Sequence, residues 1–305
     1  MCLLKDSEES FPCRISNERF RIFGVNEQIL LHSHFLKRVE MGHVRLGQPP
    51  ATKKWREIVA YLEAGDVSIP ALADAVAEAT DKSLMKAAKD PAFIEALWLL
   101  IKIPQAARSK NFAKALKDLG ITVPDSPSIT DLAVGFDAAI EAAQRRNSPN
   151  TTDLSEMAKH AGVAALDSLA RESTPPLWTS DHEDERTTVA TFSAPEKFAE
   201  LSQRFFTNLV EHNIQYFLDR EIPRHVGPGN FVQSVGDMVS FDGAVKRHCA
   251  ETTIIMRAFA KDWLGKNAHN LKKDVSRKDV AGFAHVAFKK IRKELSIRSA
   301  ANEHV

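Results

Sequence analysis

Apolar residues recur every three or four positions along most of the chain, which is the period of a helix that packs on one face. The clearest stripe is the last one, formed by Val280, Phe283, Ala287, Ile291 and Leu295. In the body of the chain, only residues 187–191 (TTVAT) are predicted to form a short strand. The pattern therefore predicts an all-α protein.

Helix boundaries in the first half are marked by prolines, glycines and capping side chains. Asp90 before Pro91 predicts a helix start, because the aspartate caps free N–H groups and proline fits the first turn. Pro104 is expected to break or kink that helix, and Gly120 to end the next one. These signals predict a helical N-terminal domain over residues 41–172, with further helices over 52–65, 68–89, 111–119, 128–146 and 153–172.

Residues 173–192 differ from both flanks and are predicted to be an acidic linker between two helical subdomains. They contain two prolines and then residues 181–185 (DHEDE), a run expected to form a solvated loop. This run is rich in metal-ligand residue types but lacks the spacing of calcium or zinc ligands, so no metal site is expected. Trp178 is either an anchor that docks a partner protein or a residue packed onto its own domain.

Residues 193–298 are predicted to form a C-terminal three-helix bundle, followed by a tail over 299–305. Ser193-Ala194-Pro195-Glu196 fits a capping box at the start of the first helix. Residues 265–270 are expected to end the second helix, and Ser276 to cap the third. The second helix carries a packing seam whose members step by four and three residues, namely Val245, Cys249, Thr252, Met256, Phe259 and Trp263.

Residues 1–40 show no sustained period and are predicted to be a poorly ordered N-terminal extension. Two interpretations stay open: the extension is genuine, or it is an artefact of gene-start assignment upstream of a true start at Met41. No apolar segment of a secretory signal follows Met1. No stretch reaches the ~20 apolar residues of a membrane span. A cytoplasmic, reducing setting is therefore expected.

Composition excludes several broad classes of protein. Lys and Arg number 41 against 40 Asp and Glu, which rules out a wholly basic nucleic-acid protein and a highly charged disordered chain. The three cysteines, Cys2, Cys13 and Cys249, are too few and too far apart for a disulfide framework or a C-x-x-C site. No nucleotide-binding, zinc-protease or hydrolase motif occurs, so no cofactor is expected.

Charge is balanced overall but separated along the chain. Residues 151–200 carry 10 acidic and 4 basic side chains, whereas residues 257–298 carry 12 basic and 4 acidic ones. The last helix and the residues before it hold a basic face made of Lys272, Lys273, Arg277, Lys278, His285, Lys289 and Arg292. This face is predicted to contact nucleic acid or an acidic partner, or else to be a solvated surface or to pair with the acidic segment. No exposed aromatic residue is predicted among these basic side chains, which argues against a site where the bases of a single strand would stack.

Six further polar residues are the best candidates for a dispersed active site: His212, Arg220, Glu221, His225, His248 and Cys249. Several of them flank Pro223, where a long helix is predicted to stop. A Cys249 nucleophile would need a histidine close in space, such as His285. Ordinary helix-end salt bridges explain the same residues, and no catalytic residue is assigned.

Two stretches, 41–59 (MGHVRLGQPPATKKWREIV) and 248–263 (HCAETTIIMRAFAKDW), resemble uncharacterised all-helical bacterial proteins that are encoded in mobile-element and anti-phage operons. The resemblance covers residues 41–298. It implies a protein that works beside other products of its operon, and it favours Met41 as the start. It implies no activity and no active residue.

These observations favour a non-enzymatic helical subunit or adaptor of a bacterial multi-protein system, with anti-phage defence as one setting. Its protein partners would be other products of the operon, bound through Trp178 and the linker. The basic C-terminal face would meet nucleic acid or an acidic partner, with no membrane involved. The alternative is an enzyme with a dispersed His/Glu/Arg site in the C-terminal helical domain.

Overall fold

The computed structural model describes residues 53, 56, 59, 60, 85–147, 152–173, 182–227, 233–270 and 274–302, the last few of these by backbone alone. All of them fall in one compact unit of the chain, Val39–Val305. The described residues form helices and no β-strand, so the protein is all-α, as predicted. None of the described helices is both long enough and apolar enough to cross a membrane.

The helices of the described part are numbered in chain order. A 3-10 turn, Ile222–His225, follows the sixth of them. Their bounds are α1 Pro91–Ala107, α2 Phe112–Asp118, α3 Ile129–Asn147, α4 Asp153–Ser173, α5 His182–Thr191, α6 Pro195–Glu221, α7 Val235–Thr252, α8 Ile255–Asn270 and α9 Arg277–Asn302.

Three predicted helix boundaries are confirmed. The Asp90 carboxylate accepts a hydrogen bond from the Ala92 N–H at 2.9 Å and begins α1. Gly120 adopts a φ of 85° just after α2, a left-handed conformation that glycine adopts without strain. Ser276 begins α9 through a reciprocal exchange: its hydroxyl accepts the Asp279 N–H, and the Asp279 carboxylate accepts the Ser276 N–H.

Two predicted helix ends fall later than the first breaking residue, because packing outweighs the local signal. Pro104 does not break α1, which continues to Ala107. The helix tolerates the lost backbone hydrogen bond because it is buried on nearly every side, so its apolar contacts hold it in place. Gly265 likewise lies inside α8, which ends at Asn270, the last residue of the predicted break. Glycine costs only about 1 kcal/mol there, which the buried Leu264 beside it offsets.

Two further local predictions are wrong in the C-terminal half. The second helix of the predicted bundle is divided into α7 and α8. At the division, Thr252 donates its hydroxyl to the His248 carbonyl at 2.7 Å, and such bonds compete with helix continuation. The predicted capping box at the start of α6 is absent, because the N-cap residue is Ala194. Ser193 instead donates to the Ala190 carbonyl at 2.7 Å.

The C-terminal part of the predicted acidic linker is the helix α5, not a loop and a strand. Glu185 accepts the Ile129 N–H at 2.9 Å and so caps the start of α3. Arg186 donates to the Ala107 and Ser109 carbonyls at 3.0 and 3.1 Å and so caps the end of α1. These two long-range caps explain why the β-branched stretch that follows is helical, with its Val189 side chain buried.

Aromatic side chains from both predicted subdomains meet in one core. The ring of Phe93 on α1 lies 5.6 Å from Phe205 on α6 and 5.4 Å from Phe288 on α9. Helix α4 also packs along α6. The predicted division into two subdomains, and the separate three-helix bundle, are therefore not confirmed.

Charged side chains of α1 fasten the start of α9, in a set of contacts called here the clasp. Glu95 accepts two hydrogen bonds from the Arg277 guanidinium, one of them at 2.7 Å. That guanidinium lies 3.8 Å over the Trp98 ring, whose indole N–H donates to the Val275 carbonyl at 3.0 Å. Lys102 pairs with Asp274. The clasp and the aromatic core together fix the orientation of α9 on the body of the protein.

Candidate functional site

Helix α9 has two opposite faces. Its inner face is fully buried and consists of Val280, Phe283, Ala284, Ala287, Phe288, Ile291 and Leu295. Residues at spacings of seven, four and four lie along the opposite side of a helix. That outer stripe, called here the ridge, consists of Lys278, Gly282, His285, Lys289 and Lys293, all of them exposed.

The three lysines of the ridge form no ion pair within the described residues. Some other surface lysines are paired, Lys197 with Glu200 at 3.0 Å and Lys261 with Glu196 at 3.2 Å. The exposed lysines at and in α2, Lys110, Lys114 and Lys117, resemble the ridge in forming no ion pair within the described residues. The sequence places no carboxylate on the ridge. A helix rises about 1.5 Å per residue, so Lys278 and Lys293 stand about 22 Å apart on a rigid support. The ridge is therefore a row of cations with no counter-charge on the same stripe.

Only some members of the predicted basic face lie on the ridge. Lys278, His285 and Lys289 lie on the ridge, and Arg292 lies half-exposed at its edge with a contact of its own. The prediction that Arg277 belongs to the basic face is wrong, because the clasp uses its guanidinium. The residue that engages it, Glu95, lies 182 residues away in the chain. The remaining members, Lys272 and Lys273, lie outside the described residues, as does Trp178.

Sequence reasoning missed one member of the ridge, Lys293. The signal was present, since Lys293 follows Lys289 by four residues and Lys278 by fifteen, which places all three on one side of a helix. In the described part of the acidic segment, by contrast, no carboxylate forms an ion pair with the ridge. Glu183 and Glu185 of α5 contact Arg186 and the start of α3 instead.

The described contacts of Arg220, Glu221 and His212 are made with residues outside the six candidates for a dispersed active site. Arg220 lies 3.6 Å over the Tyr216 ring and donates to that residue's carbonyl at 2.7 Å. Glu221 is buried and accepts from Arg224 at 3.2 Å. His225 and His248 are buried.

The pKa of Cys249 opposes a role as a nucleophile. Burial and the nearby Glu211 carboxylate raise the pKa of the Cys249 thiol, so the thiolate that a nucleophile needs is disfavoured. Burial, together with His160, lowers the pKa of His212. The rings of His160 and His212 lie 6.2 Å apart. Among the described residues, no three His, Cys, Asp or Glu side chains are grouped so as to hold a metal ion.

A polar cleft of about 560 Å³ opens between the start of α5, the start of α2 and the loop that precedes α3. Lys110, Asp125, His182 and Glu183 line it, together with Arg186. Its cations and carboxylates are of similar number, and Arg186 is already saturated by Glu183 and two carbonyls. The cleft therefore shows no preference for a ligand of either charge.

Comparison of the chain with family models, with curated proteins and with solved structures finds no match. The resemblance to helical proteins of anti-phage operons consequently stays a prediction.

Proposed function

We propose that this protein is a non-enzymatic helical adaptor that binds nucleic acid through the ridge of α9. The observation that carries the proposal is the row of three exposed lysines with no ion-pair partner among the described residues. Phosphates spaced along a polynucleotide supply the counter-charges that the protein does not, and their condensed counterions are released on binding.

Helix α9, which carries the ridge, is held rigidly, and this favours a role in binding. The buried inner face of α9 and the clasp fix the helix before any ligand arrives, so little ordering is needed on binding. The ridge carries no Asn, Gln or Arg side chain that would read a base edge in the usual way. Binding through the ridge is therefore expected to be independent of sequence, since the ridge contacts phosphates.

The enzyme alternative receives no comparable support, since Arg220 and Glu221 are engaged with residues outside the candidate set and the cysteine is held as a thiol. A place beside other products of a bacterial operon is compatible with an adaptor and comes from the sequence resemblance alone.

The proposal is tested by fluorescence anisotropy with single-stranded and duplex oligonucleotides of arbitrary sequence, each long enough to span the ridge. The test variant is the triple change Lys278→Gln, Lys289→Gln and Lys293→Gln. A matched control removes three exposed lysines elsewhere: Lys110→Gln, Lys114→Gln and Lys117→Gln.

We expect the wild type and the control to bind, and the ridge variant to bind about tenfold more weakly or worse, because three phosphate contacts are lost. Equal weakening in both triple variants would mean that net charge and not the ridge is responsible. Failure of the wild type to bind either oligonucleotide would refute the proposal and leave an acidic protein as the partner to seek.

A further inference from the structure

Two aromatic side chains border the ridge. The sequence placed Phe259 and Trp263 of α8 in a buried seam, but both are half-buried and only pack against the edge of the core. The Phe259 ring stacks on Phe283, with centroids 5.0 Å apart and planes 3° apart. The Trp263 ring lies 4.6 Å from the same Phe283 ring. Phe283 thus forms the base on which both partly exposed rings rest.

These rings lie on the flank of α9 next to the ridge. Phe283, Val286 and Lys290 follow one another by three and four residues and so share this flank. Val286 is 40% exposed, and the Lys290 ammonium lies 5.3 Å from the Phe259 ring centroid. The surface between α8 and α9, called here the α8–α9 groove, is formed by the partly exposed Phe259 and Trp263 together with Val286 and Lys290. It is therefore apolar and aromatic, with cations along its α9 side.

We infer that the ligand of the ridge is a single-stranded polynucleotide whose bases stack in the α8–α9 groove on Phe259 and Trp263. This inference rests on the proposed function. Single strands expose the faces of their bases, whereas a duplex hides them, and proteins that bind single strands combine cations for the backbone with aromatic platforms for the bases. The ridge supplies the first feature and the groove supplies the second.

The groove has a cation where such a site needs one. Lys290 covers Phe259 in the free protein, and it is flexible enough to move aside to a phosphate when a base takes its place. A duplex presents the same phosphates but hides the faces of its bases, so it would use the lysines and leave the aromatic rings uncovered. The groove thus favours unpaired bases over other polyanions.

The test compares three ligands of equal length on the intact protein: a single strand of thymidines, an abasic strand with the same phosphates, and a duplex. One stacked base contributes about 1–3 kcal/mol, so we expect the thymidine strand to bind about 5- to 150-fold more tightly than the abasic strand. Phe259→Leu and Trp263→Leu should remove most of that preference while leaving the abasic strand unaffected.

The leucine variants keep apolar volume against Phe283, and thermal unfolding by circular dichroism checks that they fold. The ligand comparison needs no variant, so it decides the question even if both unfold. Equal binding of the thymidine and abasic strands, or tighter binding of the duplex, with the ridge still required, would overturn this inference and keep the proposed function. Binding of no ligand at all would overturn both.

Discussion

Helix α1 and helix α9 both carry charged residues near their midpoints, but they use them in opposite ways. On α1, Glu95 and Lys102 are buried, and each is paired with a residue just before or at the start of α9. On α9, the lysines of the ridge are exposed and have no ion-pair partner in the described part of the chain. The same residue types therefore stabilise the fold in one place and stay available in the other.

This contrast distinguishes charges that stabilise the fold from charges that are available to a ligand in an all-helical protein. A buried charge must be paired, because leaving it alone in a low-dielectric interior is costly. An exposed charge costs nothing to leave unpaired, so its position is free to be set by a ligand. Arg277 shows that the two kinds cannot be told apart by residue type or by helix, since it directly precedes Lys278.

The largest effect on stability is expected from breaking the clasp. Glu95→Ala removes two charge-assisted hydrogen bonds to Arg277 and should lower the free energy of unfolding by about 1.5–3 kcal/mol. Urea denaturation followed by circular dichroism measures it. Lys289→Gln on the ridge is the control, with a change of no more than about 0.5 kcal/mol. A larger loss from the control than from Glu95→Ala would reverse the assignment of the two regions.

The second comparison concerns glycines on the packed and the exposed sides of helices. A Cβ at Gly162 in α4 would lie 2.5 Å from the Phe136 ring, so Gly162→Ala should destabilise the protein by about 1–3 kcal/mol. A Cβ at Gly282 on the ridge would meet nothing within 4 Å, so Gly282→Ala should stabilise it by about 0.5–1 kcal/mol. Thermal melts of the two variants should therefore shift in opposite directions, and a shared direction would contradict the packing described here.

A third prediction concerns His212, whose half-buried ring is intermediate between the buried charges of α1 and the exposed lysines of the ridge. Its pKa is lowered in the folded protein, so the unfolded chain binds the proton more readily. Stability should thus be complete above the unfolded pKa of about 6.5 and should fall as the pH drops below it, by at most about 1.4 kcal/mol per pH unit. Urea titrations at several pH values should show a flatter profile for His212→Gln. An unchanged slope in that variant would assign the acid sensitivity to other groups.

The smallest change in stability is expected on the ridge itself. Lys289→Gln should leave the free energy of unfolding within about 0.5 kcal/mol of the wild type, because the side chain has no partner to lose. Its effect should appear in binding. One lost phosphate contact should make the slope of log K against log salt shallower by about one. Affinity measured across a salt series checks it, and a variant that unfolds easily but binds normally would contradict the account.

Features written in neighbouring residues could be predicted from the sequence. Asp90, Gly120 and Ser276 mark helix boundaries through contacts within three residues, and each prediction is confirmed. Part of the ridge could be predicted in the same way, because helical spacing places Lys278, His285 and Lys289 on one side. Its regular period needs no knowledge of the rest of the fold.

Features that depend on distant contacts could not be predicted. Residues 187–191 favour a strand by composition, yet Glu185 and Arg186 cap two other helices and hold the segment as α5. Arg277 fits the basic face by spacing, yet Glu95 engages it from across the chain. Phe259 fits a packing seam, and only the position of α9 shows that its ring stays partly exposed.

The central claim is that the unpaired lysines of the ridge bind polynucleotide phosphates, and the salt dependence of binding tests it most directly. Three phosphate contacts predict that log K against log salt falls with a slope of about −2 for a single strand and about −3 for a duplex. The triple variant Lys278→Gln, Lys289→Gln, Lys293→Gln should bring the slope close to zero. A wild-type slope near zero, or a steep slope that survives the triple variant, would contradict the claim.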